Sequence, residues 1–288
     1  MDVGEYRVNR FLVTISVLLL AIFAGQAWAS EPTPWQMGLQ PAASPTAAKI
    51  NELHDALLIV ITAITVFVLG LLLYVSVRFR ESRNPTPSKT THHALLEIAW
   101  TVVPVLILTA IAVPSMKLLY FADRIEDGDM TLKVVGHQWY WEYQYPDHGN
   151  FGFDANLIPE EELKPGQKRQ MDTDNPVVLP VGKKIRLLFA SADTIHNWSM
   201  SSFGVKIDTT PGRLNETWVQ IDRVGTYYGF CSELCGVNHA YMPIMVKAVP
   251  PAEFDAWVKK AKQEFARVDE PKAPAEATIK VAEHVLSK

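Results

Sequence analysis

The chain has 288 residues, a net charge of −4 and only two cysteines. This length allows one or two domains, and the lack of a basic surplus argues against nucleic acid as a partner. Two cysteines four residues apart cannot form the disulfide framework of a domain of this size. Apolar residues are concentrated in the first 121 positions, and the remainder has the composition of an ordinary soluble domain.

The N-terminus has the pattern of an export signal. Two arginines precede an apolar run from Phe11 to Ala24, and Ala27-Trp28-Ala29 then supplies a small-x-small cleavage pattern. The run of about 14 residues is too short to span ~30 Å of hydrocarbon comfortably. We therefore predict a cleaved signal peptide over residues 1–29, and a retained N-terminal anchor is the alternative.

Residues 30–52 are predicted to be an N-terminal linker, extended over 31–48, where Pro, Ala, Ser and Thr predominate. Two apolar segments then predict a transmembrane helical hairpin over residues 53–121. Ala56–Val77 carries no charge and, at 1.5 Å per residue, is about 33 Å long, which is enough to cross a bilayer. The second segment, Ala94–Tyr120, contains two prolines, which membrane helices tolerate when neighbouring helices satisfy the freed carbonyls. A buried helix pair in a soluble domain is disfavoured by these lengths.

The loop over residues 78–93 carries four basic residues and one acidic residue. The positive-inside rule therefore places it in the cytoplasm. Both outer ends of the hairpin, and the domain that follows, are then expected on the periplasmic side of a bacterial inner membrane. Glu97 lies in the first turns of the second segment, where an ionisable residue is a functional candidate. The alternative is that Glu97 lies at the headgroup level and extends its carboxylate to water.

Residues 122–268 have the pattern of an all-β domain. Short runs rich in β-branched and aromatic residues alternate with turn signals, which predicts a β-sandwich or barrel. Ala252–Val268 has helical periodicity with one apolar face, and the polar tail over 269–288 is expected to be loosely held. The predicted strands are Leu132–Val135, Val177–Leu179, Ile185–Phe189, Thr217–Ile221, Thr226–Phe230 and Ile244–Val249.

One segment predicts a metal site. Cys231, Cys235, His239 and Met242 place two thiolates, an imidazole and a thioether within twelve residues. These are soft and borderline ligands that suit copper. A blue-copper site needs a single Cys, so the second thiolate indicates a compact centre of two bridged metal ions. A second histidine must come from elsewhere, and His196, which follows a predicted strand, is the best candidate.

This segment has two other interpretations, a disulfide and a zinc site. Cys231 and Cys235 could form a disulfide in an oxidising compartment, but His239 and Met242 at these offsets favour a ligand set. Zinc is the rival metal, and the methionine disfavours it.

The pattern Cys-x-Glu-x-Cys-x-x-x-His-x-x-Met resembles the signature of CuA, the binuclear copper site of cytochrome c oxidase subunit II in the haem–copper oxidases. The resemblance extends from Leu53 to Trp257. It includes the aromatic stretch Gly136–Trp141, the segments Gly204–Asp208 and Pro211–Arg213, and the two-helix hairpin.

The resemblance implies a transmembrane two-helix hairpin followed by an all-β cupredoxin-like sandwich domain. Trp139 would accept electrons from cytochrome c, with Tyr140 beside it, and Glu97 would lie at the mouth of a proton path. The Glu233 carboxylate would help to bind Mg²⁺ shared with subunit I. The implied copper ligands are His196, Cys231, the backbone carbonyl of Glu233, Cys235, His239 and Met242.

The resemblance also implies partners. These are oxidase subunit I, which would carry the haems and a second copper site, subunit III, cytochrome c and membrane lipid. The complex would reduce O₂ to water and pump protons, and this subunit would not be catalytic alone. Lys206, Asp208 and Arg213 would line the interface above the haems. The family-like acidic residues expected to dock cytochrome c are Asp147, Asp154, Asp174 and Asp193.

The acidic residues have a second interpretation. Residues 122–268 contain 20 acidic and 16 basic side chains, a mild excess that would steer a basic partner in a salt-dependent way. A scattered, solvated surface is the alternative. One departure from the family is Met200-Ser201, where relatives often have Val-Pro.

Three other functions agree with parts of the sequence less well than the oxidase subunit does. A nitrous oxide reductase domain carries a similar motif but is soluble. A quinol oxidase relative would lack copper, against the intact motif. A copper chaperone should expose its metal, whereas aromatic residues surround this motif.

Overall fold

The computed structural model describes residues 28–123 and 128–265. Two long helices, α1 (Pro45–Arg78) and α2 (Ala94–Asp123), precede a β domain that ends in the short helix α3 (Pro251–Glu264). The apolar run of the predicted signal peptide and the predicted tail lie outside the described residues.

Helices α1 and α2 are both long and apolar enough to cross a membrane, as predicted. At 1.5 Å per residue α1 is about 51 Å long and α2 about 45 Å, so both extend beyond ~30 Å of hydrocarbon. Helix α1 begins at Pro45, and the prediction of an extended chain up to residue 48 was therefore wrong. Ser44 Oγ accepts a hydrogen bond from Ala47 N at 3.0 Å, and proline has the backbone angle that the first helical position needs.

The outer ends of both membrane helices pack against the β domain. Gly204, with φ at +66°, approaches α1 so closely that an added Cβ would lie 2.8 Å from Ala47 N. At the end of α2 the Phe121 ring meets the Trp218 ring edge-on at 5.5 Å, and Lys49 Nζ lies 4.9 Å from the Phe121 ring centroid. The domain is thus attached to the hairpin at two points.

The β domain is a sandwich of two sheets. In the first sheet the order is β5-β11-β10-β7-β8, and β1 also pairs with β10. In the second sheet the order is β4-β3-β2-β6-β9. The predicted fold class, a two-helix hairpin followed by a cupredoxin-like β-sandwich, is confirmed. The strands are β1 Trp28–Ser30, β2 Met130–His137, β3 Tyr140–Tyr145, β4 Phe151–Ala155, β5 Val177–Pro180, β6 Lys184–Ser191, β7 His196–Met200, β8 Val205–Thr209, β9 Asn215–Gln220, β10 Gly225–Cys231 and β11 Pro243–Val249.

All six runs named as examples of the strand pattern are strands, and the described residues contain five further strands. Strands β3 and β4 alternate buried and more exposed residues, which is the ordinary strand period, so a signal for them existed. Strand β7 has none, because all five of its residues are buried and three of them are polar. The helix predicted over Ala252–Val268 is α3. Its apolar face is confirmed by the buried Phe254, Val258 and Ala261.

The core lies between the sheets and is rich in aromatic residues. Trp141, Tyr143, Trp198 and Phe189 are at most 1% exposed. Their polar atoms have partners, since Trp198 Nε1 donates to Tyr143 Oη at 3.2 Å and Trp141 Nε1 donates to the Met242 carbonyl at 3.3 Å. A satisfied, close-packed interior of this kind is rigid, and it fixes the strands that carry the site below.

The glycine at the helix–domain junction gives a test of this packing. Gly204→Ala should destabilise the full-length chain in detergent more than Gly212→Ala. Both positions have positive φ, but nothing lies within 4 Å of a Cβ built at Gly212. The shared backbone strain is about 1–2 kcal/mol, and the clash with α1 should add about 1–3 kcal/mol. Urea unfolding followed by circular dichroism measures the difference. Equal losses of unfolding free energy in the two variants would show that α1 moves away from the added methyl group at little cost.

Candidate metal centre

Two neighbouring strands and one loop build the site. His196 begins β7 and Cys231 ends β10, and these strands are paired with Cys231 opposite Trp198. The ladder continues one step into the loop, where Ser232 N donates to the Asn197 carbonyl at 3.1 Å. Side chains 35 residues apart in sequence are therefore held close together. The loop that follows Cys231 returns its own side chains to the same point before β11 begins.

The two cysteine sulfurs are at the centre of this arrangement. The Cys231 and Cys235 Sγ atoms lie 3.9 Å apart, and the ligand atoms of His196, Cys231 and Cys235 all lie within 4.8 Å of one another. Cys235 Sγ is 3.5 Å from His239 Nδ1 and 3.5 Å from Met242 Sδ.

The Glu233 carbonyl completes the set of predicted donors, at 3.4 Å from Cys231 Sγ. All six predicted donors therefore converge on one site, and Cys231, Cys235, Met242 and His196 are buried.

His196 is oriented as a metal ligand would be. Its ring is fully buried, and its Nε2 lies 2.8 Å from Asp193 Oδ1. Its Nδ1 is buried and makes no hydrogen bond with any residue in the described part of the chain. A histidine whose one nitrogen is held by a carboxylate presents the other nitrogen to a metal. Gly136 leaves room for this ring, because a Cβ there would lie 2.8 Å from His196 Cδ2.

The thiols and the imidazole have shifted pKa values. Burial raises the pKa of the Cys231 thiol, but interactions with His196 and with backbone groups of Asn197 and Glu233 outweigh it and lower the pKa to about 7. Burial, and then the neighbouring Cys231, raise the pKa of Cys235 to about 12. Burial lowers the pKa of His196, yet Cys231 and Asp193 raise it above its usual value. The Cys231 thiol thus ionises more readily than the Cys235 thiol.

The donor set fits copper. The sulfurs at 3.9 Å are much farther apart than the roughly 2.05 Å of a disulfide, and both cysteines are free. Thiolate, thioether and imidazole together suit copper, and His196 Nδ1 is a buried nitrogen with no hydrogen-bond partner among the described residues. The residues could also hold a second ion, because two thiolates can each contact two metals.

Trp139 and its neighbour Gln138 lie directly against the cysteine loop. Trp139 Nε1 donates to the Cys235 carbonyl at 3.2 Å, and Gln138 Nε2 donates to the same oxygen at 2.8 Å. Gly236, with φ at +124°, permits this contact, since a Cβ there would lie 2.9 Å from the Trp139 ring. Gln138 was not predicted as a site residue, although it lies in the aromatic stretch of the family resemblance.

Tyr140 lies among carboxylates at the surface. Its ring stacks on His137 at 4.5 Å, and His137 Nε2 lies 3.2 Å from Glu142 Oε2. Burial, and then Asp154, Glu142 and Asp193, raise the pKa of the Tyr140 phenol. Asp154 is opposite Glu142 in the β3–β4 register. Two of the predicted docking acids are therefore close to Tyr140, together with Glu142, which was not predicted.

The other two predicted docking acids accept hydrogen bonds from backbone amides. Asp174 Oδ1 accepts hydrogen bonds from Asn156 N and from Asn175 N, both at 2.7 Å, just beyond the end of β4. Asp147 Oδ2 accepts from Thr131 N at 2.6 Å, near the start of β2. At ~3.3 Å per residue, Thr131 is about 23 Å along the strand direction from residue 138, so Asp147 lies away from the metal site.

Glu97 and the cationic loop are at the opposite end of the hairpin. Glu97 Oε1 accepts a hydrogen bond from His93 N at 3.2 Å, and His93 Nδ1 accepts from Leu96 N at 3.2 Å. These two bonds satisfy backbone donors at the start of α2.

The remaining predicted residues lie near the metal site. The Glu233 side chain is exposed. Lys206, Asp208 and Arg213 line a polar depression of about 830 Å³ together with Asn197, whose Nδ2 donates to Asp208 Oδ1 at 2.6 Å.

Comparison with known proteins identifies the family. Residues 130–249 match the family model for the cytochrome c oxidase subunit II periplasmic domain, and residues 32–118 match that for its transmembrane domain. The chain is 49% identical over 244 residues to a probable cytochrome c oxidase subunit 2 of Rickettsia bellii, covering 85% of this chain and 91% of that protein. This chain belongs to the cytochrome c oxidase subunit II family. It is also 45% identical over 231 residues to cytochrome c oxidase subunit 2 of Oenothera berteroana, covering 78% of this chain and 90% of that protein.

A solved relative is the periplasmic domain of subunit II of cytochrome oxidase (CoxB) of Bradyrhizobium japonicum. It is 47% identical, with a TM-score of 0.47, and the match covers 50% of this chain and all of that one. Membership of the subunit II family confirms the family resemblance. The chain is a membrane-embedded subunit of the oxidase complex, with other oxidase subunits as partners. The soluble reductase and copper chaperone alternatives do not agree with a match to both family models.

Gly136→Ala tests whether the space beside His196 is needed. The added Cβ would lie 2.8 Å from His196 Cδ2 and 2.8 Å from Thr209 Oγ1, so the imidazole should be displaced. We expect copper affinity to fall about 10–100-fold, as for losses of ligand support elsewhere. Gly38→Ala is the control, because Gly38 has no atom within 4 Å of a built Cβ. Copper per chain after competition with a chelator measures the effect, and equal retention in the two variants would contradict it.

Proposed function

We propose that this subunit accepts electrons from cytochrome c at a binuclear copper centre, CuA, and passes them to the haems of subunit I. There O₂ would be reduced to water, coupled to proton pumping, and this subunit would not be catalytic alone. The observation that supports this most strongly is the pair of free thiols at 3.9 Å, enclosed by two histidines, a methionine and a carbonyl.

The copper ligands in this proposal are His196, Cys231, Cys235, His239, Met242 and the Glu233 carbonyl. When bound, a two-copper centre would supply a one-electron redox step, and these residues would hold it with little rearrangement. The protein contributes rigidity, since His196 and Cys231 are fixed on paired strands. Burial of the sulfurs keeps water away. The intact donor set also favours a copper-containing subunit over the copper-free quinol oxidase relative.

Trp139 is proposed to receive the electron from cytochrome c. Its indole is half-buried, so one edge is accessible while Nε1 bonds to the Cys235 carbonyl at 3.2 Å. This gives a path of one hydrogen bond and a few covalent bonds from the surface to a ligand residue. Tyr140 lies beside it and supports the surface through its stack on His137.

The acidic side chains near Tyr140 are proposed to dock cytochrome c. Burial raises the pKa of the Tyr140 phenol, and the negative charges of Asp154 and Asp193 raise it further. Asp174 accepts a hydrogen bond from Asn156 N, just past the end of β4. Negative charges around an accessible indole would steer a basic partner toward it, and salt would weaken this attraction. Asp147, at the far end of β2, would add only to the long-range field.

The exposed Glu233 carboxylate is proposed to face subunit I and to help bind Mg²⁺ there. The polar depression with Lys206, Asp208 and Arg213 begins beside Asn197, which is hydrogen-bonded to the cysteine loop. This depression would therefore lie on the same interface, above the haems. Subunit III is proposed as a further partner. Nucleic acid is not proposed as a partner, because the chain has no surplus of basic residues.

The proposed orientation places the copper domain in the periplasm of a bacterial inner membrane. The basic loop over residues 78–93 would then be cytoplasmic, and lipid would surround the outward faces of α1 and α2. Glu97, at the cytoplasmic start of α2, is proposed to stand at the mouth of the proton path of subunit I. Cleavage of residues 1–29 as a signal peptide belongs to the same proposal, and it would remove Trp28 and Ala29 of strand β1 from the sheet.

Trp139→Phe in the oxidase complex should slow reduction of the copper centre by cytochrome c about tenfold, equivalent to ~1.4 kcal/mol. The change removes Nε1 and its bond to Cys235 while leaving all copper ligands. Trp257→Phe, on α3, is the matched control. Stopped-flow reduction and copper analysis give the two readouts. An unchanged rate in Trp139→Phe, with copper retained, would remove this residue from the electron-accepting role.

Met242→Leu should keep both coppers and shift the midpoint potential of the centre. The thioether is a weak ligand that tunes potential, and leucine has a similar volume in this buried position. Metal analysis with redox titration of the full-length chain checks both parts. Loss of all copper would mean that the thioether is a strong ligand.

A further inference from the structure

We propose that Asp193 is a positioning residue that fixes a copper ligand and the electron-accepting tryptophan relative to each other. This inference rests on the function proposed above. It assigns to Asp193 a role different from docking cytochrome c, the role expected from the sequence.

The two carboxylate oxygens of Asp193 bond to two different parts of the site. Oδ1 lies 2.8 Å from His196 Nε2, and Oδ2 accepts a hydrogen bond from Gln138 N at 2.6 Å. Gln138 directly precedes Trp139. A single side chain in the β6–β7 connection therefore joins the start of β7 to the chain between β2 and β3.

The carboxylate is itself held in place. Oδ1 also accepts from Thr194 N at 2.6 Å and lies 3.4 Å from Ser191 Oγ, and the side chain is only 31% exposed. An ionised carboxylate has enough lone pairs to accept from His196 Nε2, Thr194 N and Gln138 N together. Its orientation is thus set before any partner protein arrives, as expected of a group that positions others.

The first consequence concerns His196. With Nε2 facing a carboxylate, the ring proton is placed on Nε2, which leaves Nδ1 as the free electron pair. Nδ1 is the atom that is buried and makes no hydrogen bond with the described residues. Asp193 therefore selects the tautomer that a copper ligand needs.

The second consequence concerns Trp139. Asp193 holds the backbone of Gln138, and the Gln138 and Trp139 side chains both donate to the Cys235 carbonyl. A closed circuit of contacts results, from His196 through Asp193 and the Gln138–Trp139 segment to Cys235. A change at Asp193 should therefore affect the copper centre and electron transfer from Trp139 together.

Asp154 provides a matched comparison. Like Asp193, its carboxylate adds to the effect of burial in raising the pKa of the Tyr140 phenol. Asp154 lies on β4, the outermost strand of the second sheet. Asp154→Asn and Asp193→Asn remove the same charge from the same surface. The asparagine at 193 keeps the shape, but only its amide oxygen can accept, so it can keep the bond from His196 Nε2 or the bond from Gln138 N and not both.

The experiment compares both variants with the wild-type oxidase complex. We expect Asp193→Asn to alter the paramagnetic resonance spectrum and the midpoint potential of the copper centre. It should slow reduction by cytochrome c about 10–100-fold, and this ratio to wild type should persist at 1 M salt, where the Debye length is ~3 Å. Asp154→Asn should leave the spectrum unchanged, and its rate defect should disappear at high salt. A wild-type spectrum for Asp193→Asn, with a defect that salt removes, would overturn the proposal.

Hydrogen exchange of Asp193→Ala, which removes both acceptor oxygens, covers the case in which Asp193→Asn does not retain copper. The Gln138 amide should exchange faster in Asp193→Ala and at the wild-type rate in Asp154→Ala, whether or not copper is bound. An unchanged exchange rate would show that Asp193 does not hold the backbone of Gln138. Failure of the proposed function is separately visible, because the wild-type complex would then lack a paired-copper spectrum.

Discussion

The pairing of β7 with β10 is the interaction on which the site depends. It sets Cys231 opposite Trp198, two residues from His196, and so brings together ligands that are far apart in sequence. The cysteine loop needs only to turn back toward this fixed pair, and it does so within the few residues before β11. The strands supply His196 and Cys231, and the loop supplies the other four predicted donors.

The surrounding structure keeps this pair rigid. Trp198 lies in the core with its indole bonded to Tyr143, and Trp141 bonds to the Met242 carbonyl, so the aromatic core supports both the strand and the loop. The domain is attached to α1 through the close contact at Gly204. The candidate metal site is therefore built into a packed interior and attached to the membrane hairpin.

The sequence predicted the residues that meet at the site more completely than their surroundings. Cys231, Cys235, His239 and Met242 share one short segment, and His196 follows a strand with a clear apolar pattern. The second role of Asp193 depends on Gln138, 55 residues away in sequence, and no local pattern encodes that proximity. Strand β7 was missed because its buried positions are polar, with donors and acceptors satisfied only by the fold. The start of α1 was missed although Ser44-Pro45 is a recognised helix-start signal.

The most direct test of the central claim is the metal content and paramagnetic resonance spectrum of the full-length chain, purified in detergent and loaded with copper. The account predicts two coppers per chain and hyperfine structure from one electron shared equally over two copper nuclei. One copper with a single-nucleus pattern, or no copper with a Cys231–Cys235 disulfide, would contradict it.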